Sequence, residues 1–141
     1  MIVVDTSVLY ALLDRRDGRH RQALTWYESF DGDLATTPLV LAETDHLAST
    51  RAGAQAARAF RRDVAAGVYA VEWWPRAGAE SVKVAEGYRE LGVSLTDASL
   101  VALAARISTT TIATFDERHF RAVRPARGGR SFRLLPADAG S

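Results

Sequence analysis

The sequence lacks cysteine altogether, which excludes structural disulfides, zinc sites built on thiolates and thiol catalysis. Lysine is nearly absent as well, because arginine supplies all but one of the 18 basic residues and the exception is Lys83. No apolar run approaches the ~20 residues that cross a bilayer, and the first residues show no basic segment followed by a long apolar one. We therefore expect a soluble, cytoplasmic protein with no membrane partner.

The 141 residues predict a single domain over residues 1–141, large enough to bury about two-thirds of the surface that the unfolded chain exposes. A net charge of +1 conceals an uneven distribution, because one stretch near the C-terminus is basic with no acid inside it. This stretch contains Arg118, Arg121, Arg124, Arg127, Arg130 and Arg133. Such a run suits contact with phosphate groups and fits a solvated tail equally well.

Short apolar segments alternate with amphipathic ones along the whole chain. The pattern predicts strands at residues 2–4, 34–36, 68–74, 109–115 and 132–135, and helices at residues 8–13, 19–30, 39–50, 54–65, 76–91 and 97–107. Residues 117–119 are expected to form a polar turn. The alternation indicates an α/β fold, a three-layer α/β/α sandwich around a mostly parallel sheet.

Three acids stand at the ends of predicted elements. Asp5 and Asp116 each follow an apolar strand, and Asp97 opens a helix that is apolar almost all round, with Thr96 as its predicted N-cap. Open α/β sheets build their sites at the carboxyl edge of the strands. Taken singly, each acid would be explained as a cap or turn residue.

A fourth acid, Glu43, lies on the same helical stripe as Leu39 and Leu47. If those leucines are buried, Glu43 points inward. Four carboxylates in one crevice repel one another by several kcal/mol unless a cation compensates them. Oxygen ligands without histidine or cysteine alongside favour Mg²⁺ or Mn²⁺ over Zn²⁺.

At Asp5-Thr6-Ser7, Glu43, Thr96-Asp97-Ala98-Ser99 and Thr114-Phe115-Asp116 the sequence resembles PIN-domain ribonucleases, in particular the VapC toxins of bacterial VapBC toxin–antitoxin systems. The resemblance covers residues 2–135, and LTDASLVALAARISTTTIATFDERHF is its most distinctive part. It implies a catalytic and metal-binding quartet of Asp5, Glu43, Asp97 and Asp116. Ser7 and Thr96 match positions that support those acids by hydrogen bonding.

The resemblance also implies an activity and partners. The expected activity is Mg²⁺-dependent endoribonuclease action, in which a metal-activated water hydrolyses an RNA phosphodiester bond and leaves 5′-phosphate and 3′-hydroxyl ends. Arg118, His119 and Arg121 are candidates for guiding the RNA backbone. The expected partners are a VapB-type antitoxin and a second copy of the chain, which would contact either an exposed region at Trp26, Tyr27 and Phe30 or the helix that begins at Ala54.

Three alternatives compete with this interpretation. A haloacid-dehalogenase-type phosphatase would have a second acid two residues after Asp5, where Ser7 stands. A receiver-type phosphoacceptor would have a lysine at the end of a late strand, whereas Lys83 falls within a predicted helix. The third alternative is a PIN-like module that binds RNA or a partner without cleaving, and metal-dependent cleavage would distinguish it from the nuclease.

Overall fold

The computed structural model describes residues 1–140 and contains five strands in one sheet. The strands are β1 (Ile2–Val4), β2 (Leu34–Thr36), β3 (Ala70–Val71), β4 (Thr111–Ala113) and β5 (Arg133–Leu135). Their order is β3-β2-β1-β4-β5, and every neighbouring pair is parallel. The expected α/β fold is thus confirmed, with a sheet that is parallel throughout rather than mostly.

Within residues 1–140, seven α-helices connect the strands. They are α1 (Thr6–Leu13), α2 (His20–Ser29), α3 (Pro38–Leu47), α4 (Ala54–Ala65), α5 (Ala77–Gly87), α6 (Leu95–Arg106) and α7 (Glu117–Ala122). A π-helical turn, Ala48–Ala52, continues α3, and a 3₁₀ turn, Arg89–Leu91, follows α5. Helix α1 packs against α2, α3 and α4, whereas α5 packs against α6. Since parallel strands are joined by right-handed crossovers, these two groups cover opposite faces of the sheet.

The central strands are buried because both faces of the sheet are covered. Val3 and Val4 of β1, Ala35 of β2 and Ile112 of β4 are fully buried. Parallel strands in this position are nearly continuous apolar runs, as the β-branched segment Ile2–Val4 is. The register sets Val3 opposite Ala35 on one side and opposite Ile112 on the other.

Strand order fixes where a site can form. The chain passes from β1 to β2 to β3 on one side of the sheet and from β4 to β5 on the other. The direction reverses between β1 and β4, and the carboxyl ends of those two strands flank the crevice where open α/β sheets bind ligands. Asp5 follows β1 directly, and Thr114 follows β4 directly.

Several local predictions are wrong in detail. Residues 117–119 open α7 rather than forming a turn, and the strand expected at residues 68–74 is only Ala70–Val71. Trp26, expected to be exposed, is buried and stacks on Phe30 at 5.2 Å between ring centroids. Of that aromatic group Tyr27 is exposed, and Phe30 is half-buried. Along residues 1–140, we find no helix with both the length and the apolar character needed to cross a membrane.

Candidate active site

Asp5 is held at the point where β1 ends and α1 begins. Its backbone N–H donates to the carbonyl of Ala113 at 2.9 Å, and its carboxylate caps α1 by accepting from the N–H of Thr6 at 2.7 Å. The helix therefore begins at Thr6, two residues earlier than predicted. The side chain is only 4% exposed, so its charge faces the protein rather than bulk water.

Two hydroxyl groups join Asp5 to the loop that carries Asp116. Ser7 Oγ and Thr114 Oγ1 both donate to Asp5 Oδ2, at 2.9 and 2.7 Å. Ser7 Oγ also accepts from the N–H of Phe115 at 2.9 Å, and Thr114 Oγ1 accepts from the N–H of Asp116 at 2.9 Å. Ser7, a predicted supporting position, thus contacts both Asp5 and the loop that carries Asp116. Thr114 does the same, although the sequence singled it out only as part of a motif.

Asp97 lies in the first turn of α6, as predicted, but the cap is different. The N-cap is Ser94, whose Oγ accepts from the N–H of Asp97 at 3.0 Å, so the assignment of Thr96 as N-cap is wrong. Thr96 contributes its backbone carbonyl, which accepts from Ser99 Oγ at 2.6 Å. Gly92 has φ +76°, a conformation that favours glycine, and ends the preceding 3₁₀ turn. The spacing of Ser94 and Asp97 is a capping signal that sequence reasoning overlooked.

Asp116 is the N-cap of α7 and is bound to His119 twice. Asp116 Oδ1 accepts from the N–H of His119 at 3.0 Å, and Oδ2 lies 2.9 Å from His119 Nδ1. The same Nδ1 lies 3.4 Å from Asp97 Oδ2. Asp97, Asp116 and His119 offer ligand atoms within 4.8 Å of one another. The expectation that no histidine stands beside the acids is therefore wrong, because α7 turns His119 toward them.

Glu43 does not point into the core. It is exposed on α3, where Val40 and Thr44 are the buried residues, and Leu39 and Leu47 are only half-buried. The inward orientation inferred from the leucine stripe is wrong, because α3 turns a different face to the sheet. The negative charge on Glu43 nevertheless contributes to the raised pKa of Asp97.

The acids interact through the low-dielectric interior. Burial raises the pKa of Asp97 to about 7, and the negative charges of Asp5, Asp116 and Glu43 add to this effect while His119 opposes it. Burial also raises the pKa of Asp5, against the lowering effect of the bonds from Thr114, Ser7 and Thr6. Such crowding of carboxylates is typical of a site that a cation or a proton must complete.

The expected RNA-guiding residues differ in their surroundings. Arg121 donates to Glu117 at 2.8 Å and to Asp138 at 2.8 Å, so its charge is already compensated. Asp138 in turn accepts from the N–H of Leu134 at 2.8 Å, which ties α7 to the end of β5. Arg118 is exposed, and His119 lies among the acids as described.

Comparison with known proteins places this chain in a family. The PIN domain model matches residues 2–125. Ribonuclease VapC26 of Mycobacterium tuberculosis is 35% identical over 136 residues, which span 96% of this chain and all of that protein.

Two solved structures resemble the fold. One is Mycobacterium tuberculosis VapC20, described as a sarcin-ricin loop cleaving toxin, with a TM-score of 0.77 and 27% identity over 83% of this chain and 91% of that one. The other is FitAcB from Neisseria gonorrhoeae, with a TM-score of 0.60 and 19% identity over 83% of this chain and 88% of that one, a likeness of fold alone. With a family model over most of its length and a relative of such identity, this chain belongs to the PIN-domain family.

Proposed function

We propose that this protein is a metal-dependent endoribonuclease and the toxin of a VapBC-type toxin–antitoxin pair. The observation that carries the proposal is the group formed by Asp97, Asp116 and His119 at the sheet's switch point, with buried Asp5 beside it. Its 35% identity to Ribonuclease VapC26 makes RNA the substrate class. We also propose that residues 1–141 act as one domain in the cytoplasm, since the sheet draws its strands from residue 2 to residue 135.

The residues present fit a divalent cation. Asp97 and Asp116 offer hard oxygen ligands, and burial together with the charges of Asp5, Asp116 and Glu43 raises the pKa of Asp97. Asp5 and Glu43 add negative charge from the buried and the exposed side of the crevice. We propose Mg²⁺ or Mn²⁺ as the ion, which Asp97 and Asp116 would hold directly.

The chain's own groups prepare the site for phosphodiester hydrolysis. Ser7 and Thr114 fix the orientation of Asp5 and the loop before Asp116, so the acids are positioned before a substrate arrives. His119 Nδ1 lies 2.9 Å from Asp116 Oδ2 and 3.4 Å from Asp97 Oδ2, so it is within reach of both carboxylates. A bound Mg²⁺ supplies charge stabilisation for the phosphate and a water nucleophile at neutral pH. The products would carry 5′-phosphate and 3′-hydroxyl ends.

A structured RNA loop is the first substrate to test. The structural relative with 27% identity is described as a toxin that cleaves the sarcin-ricin loop. We propose that this chain likewise cuts one loop of a folded RNA rather than degrading RNA at large.

A partner protein is the second part of the proposal. A groove of about 960 Å³ between α1 and α4 has apolar walls from Leu12, Leu13 and Ala59 and arginines at its rim, including Arg58 and Arg62. We propose that the antitoxin lays a partly acidic segment in this groove and extends toward the acids, where an arginine or lysine replaces the metal. Homodimerisation, expected from the family resemblance, remains part of the proposal.

The test is to identify the RNA that is cut in cells. The protein is induced without its antitoxin, and new 5′-phosphate ends are mapped at nucleotide resolution. The proposal expects a small set of ends in one structured RNA, absent when Asp116→Asn is induced at the same level. Growth arrest without any new RNA ends would instead favour a PIN-like module that binds without cleaving.

A further inference from the structure

A basic groove lies on the face of the molecule covered by α5 and α6. It has a volume of about 700 Å³, and its cationic lining residues are Lys83 of α5, Arg106 of α6, and Arg124 and Arg127 of the segment after α7. The acid in its wall is Glu80. Two of these residues, Arg124 and Arg127, belong to the C-terminal arginine run and have no role in the candidate active site.

Three of the four cations are uncompensated. Within residues 1–140, Lys83, Arg124 and Arg127 form no ion pair, and all three side chains are exposed. Arg106 differs, because it pairs with Glu72 at 3.7 Å and lies over the ring of Trp74 at 5.1 Å from its centroid. The groove therefore presents three free positive charges on a wall that Arg106 helps to build.

The polar groups of the wall are already engaged with the protein. Glu80 accepts from Trp74 Nε1 at 2.6 Å, which directs one carboxylate oxygen to the indole N–H, and within residues 1–140 it forms no ion pair with the cations of the groove. Tyr88 Oη accepts from the N–H of Arg124 at 3.1 Å and so fixes the segment after α7 against the end of α5. Trp74 is only 6% exposed, and its face is covered by Arg106. Because the face of Trp74 is covered, the groove favours contact with phosphate groups over stacking of bases on this ring.

Helices α6 and α7 connect the groove with the acids. Asp97 stands in the first turn of α6, and Val101 and Arg106 of the same helix line the groove. At 1.5 Å per residue these two positions lie roughly 6 and 14 Å from Asp97 along the helix axis. Arg124 comes two residues after α7, the helix that Asp116 caps. Measured along the axis of α6, the distance from Asp97 to the groove is within the span of a few nucleotides.

We propose that the groove is a second RNA-binding site that holds the sugar–phosphate backbone of the substrate beyond the bond that is cut. The inference rests on the proposed ribonuclease function and adds to it a sequence-independent contact through Lys83, Arg124 and Arg127. Its role is to raise affinity for long or folded RNA, while the acids and the crevice alone select the bond.

Binding is tested with full-length protein made inactive by Asp97→Asn and with a fluorescent RNA of about thirty nucleotides, over a series of KCl concentrations. Adding Lys83→Ala, Arg124→Ala and Arg127→Ala should make the slope of log K against log salt less negative by about 2, since each phosphate contact with a single strand contributes about 0.7. The matched control replaces Arg21, Arg51 and Arg76 with alanine, because these three arginines are exposed and line neither this groove nor the one between α1 and α4. An equal change of slope in the control would overturn the proposal.

Cleavage distinguishes this inference from the ribonuclease assignment itself. In the active protein, the triple variant of the groove should lower kcat/KM on the long RNA at least tenfold and leave cleavage of a five-nucleotide RNA unchanged. An equal loss on both RNAs overturns the groove as a second site. So does a change of oligomeric state with an unchanged salt slope, which would make the groove an interface between copies. If the unaltered protein cuts neither RNA, the ribonuclease assignment has failed instead.

Discussion

The hydroxyl of Thr114 donates to Asp5 Oδ2 at 2.7 Å and so joins the carboxyl ends of two neighbouring parallel strands. The same oxygen accepts from the N–H of Asp116 at 2.9 Å. One fully buried side chain thereby sets the positions of two acids that are 111 residues apart in the sequence. The candidate site depends on this link as much as on the acids themselves.

Replacing Thr114 with valine should damage both stability and metal binding. The change keeps the shape of the side chain but leaves a buried carboxylate short of one donor, which costs about 1–3 kcal/mol of unfolding free energy. Urea denaturation and calorimetric titration with Mn²⁺ measure the two effects. The control is Thr110→Val, because Thr110 is half-buried on the same segment, before β4. Wild-type affinity for Mn²⁺ in Thr114→Val would contradict a positioning role.

Stability without metal should fall as pH rises from 5 to 8. The pKa of Asp97 is raised to about 7 in the folded protein, whereas an unfolded aspartate titrates near 3.9. Between these values the unfolded chain has lost the proton that the folded chain retains, so unfolding becomes easier with rising pH. Above about pH 7 Asp97 is ionised in both the folded and the unfolded protein, so it causes no further loss of stability.

Asp97→Asn removes the contribution of Asp97 to this pH dependence and should stabilise the metal-free protein at pH 8. The gain is up to a few kcal/mol, because one pKa unit corresponds to about 1.4 kcal/mol. Urea denaturation at pH 5 and pH 8 in a chelator measures it, with Asp31→Asn in an exposed turn as the control. Equal pH dependence in Asp97→Asn and wild type would show that the burial of Asp97 has no such consequence.

His119 should tune which metal binds. Its Nδ1 lies within reach of both Asp97 and Asp116, and nitrogen ligands favour transition ions over Mg²⁺. His119→Gln is therefore expected to weaken Mn²⁺ binding about tenfold and Mg²⁺ binding much less, as measured by calorimetry. His46→Gln, at an exposed position of α3, serves as the control. Equal losses for the two ions would leave His119 as a hydrogen-bond partner only.

An antitoxin peptide should compete with metal. If a basic side chain of the antitoxin's C-terminal segment enters the acidic crevice, it neutralises the same carboxylates as Mg²⁺ does. Inhibition of RNA cleavage by the synthetic peptide should then weaken as Mg²⁺ is raised through the millimolar range. The control is the same peptide with its basic residue replaced by alanine. Inhibition that does not change with the Mg²⁺ concentration would place the partner away from Asp97 and Asp116.

The sequence predicts most accurately those helices and strands whose local residue pattern agrees with their burial. The bounds of β1, β2 and α4 match the structure, because Ile2–Val4 and Leu34–Thr36 are wholly apolar or β-branched and Ala54–Ala65 is strongly amphipathic. Strand β3 was predicted too long, because at the edge of the sheet it has one partner strand only. Local β-propensity does not tell where such pairing stops.

The site was less predictable than the fold, because its contacts are long-range. Ser7 Oγ accepts from the N–H of Phe115, which lies 108 residues further along the chain. No sequence periodicity predicts a hydrogen bond between residues so far apart. The sequence predicts a turn at His119, whereas the structure has the six-residue helix α7 there, which brings the His119 side chain next to Asp116. Glu43 was misjudged because a stripe of leucines does not say which face of α3 the sheet covers. Asp5, Asp97 and Asp116 were predictable as candidate site residues because each stands at the end of a predicted strand or at the start of a predicted helix.

The most direct test of the metal-dependent ribonuclease is cleavage of a defined RNA by the purified protein. We predict cuts that leave 5′-phosphate ends with Mg²⁺ or Mn²⁺, no cuts in a chelator, and none by Asp97→Asn, whose thermal unfolding should remain cooperative. Asp31→Asn, in an exposed turn, should cleave as wild type does. Cleavage at the wild-type rate by Asp97→Asn, or by the wild-type protein in the chelator, would contradict the account.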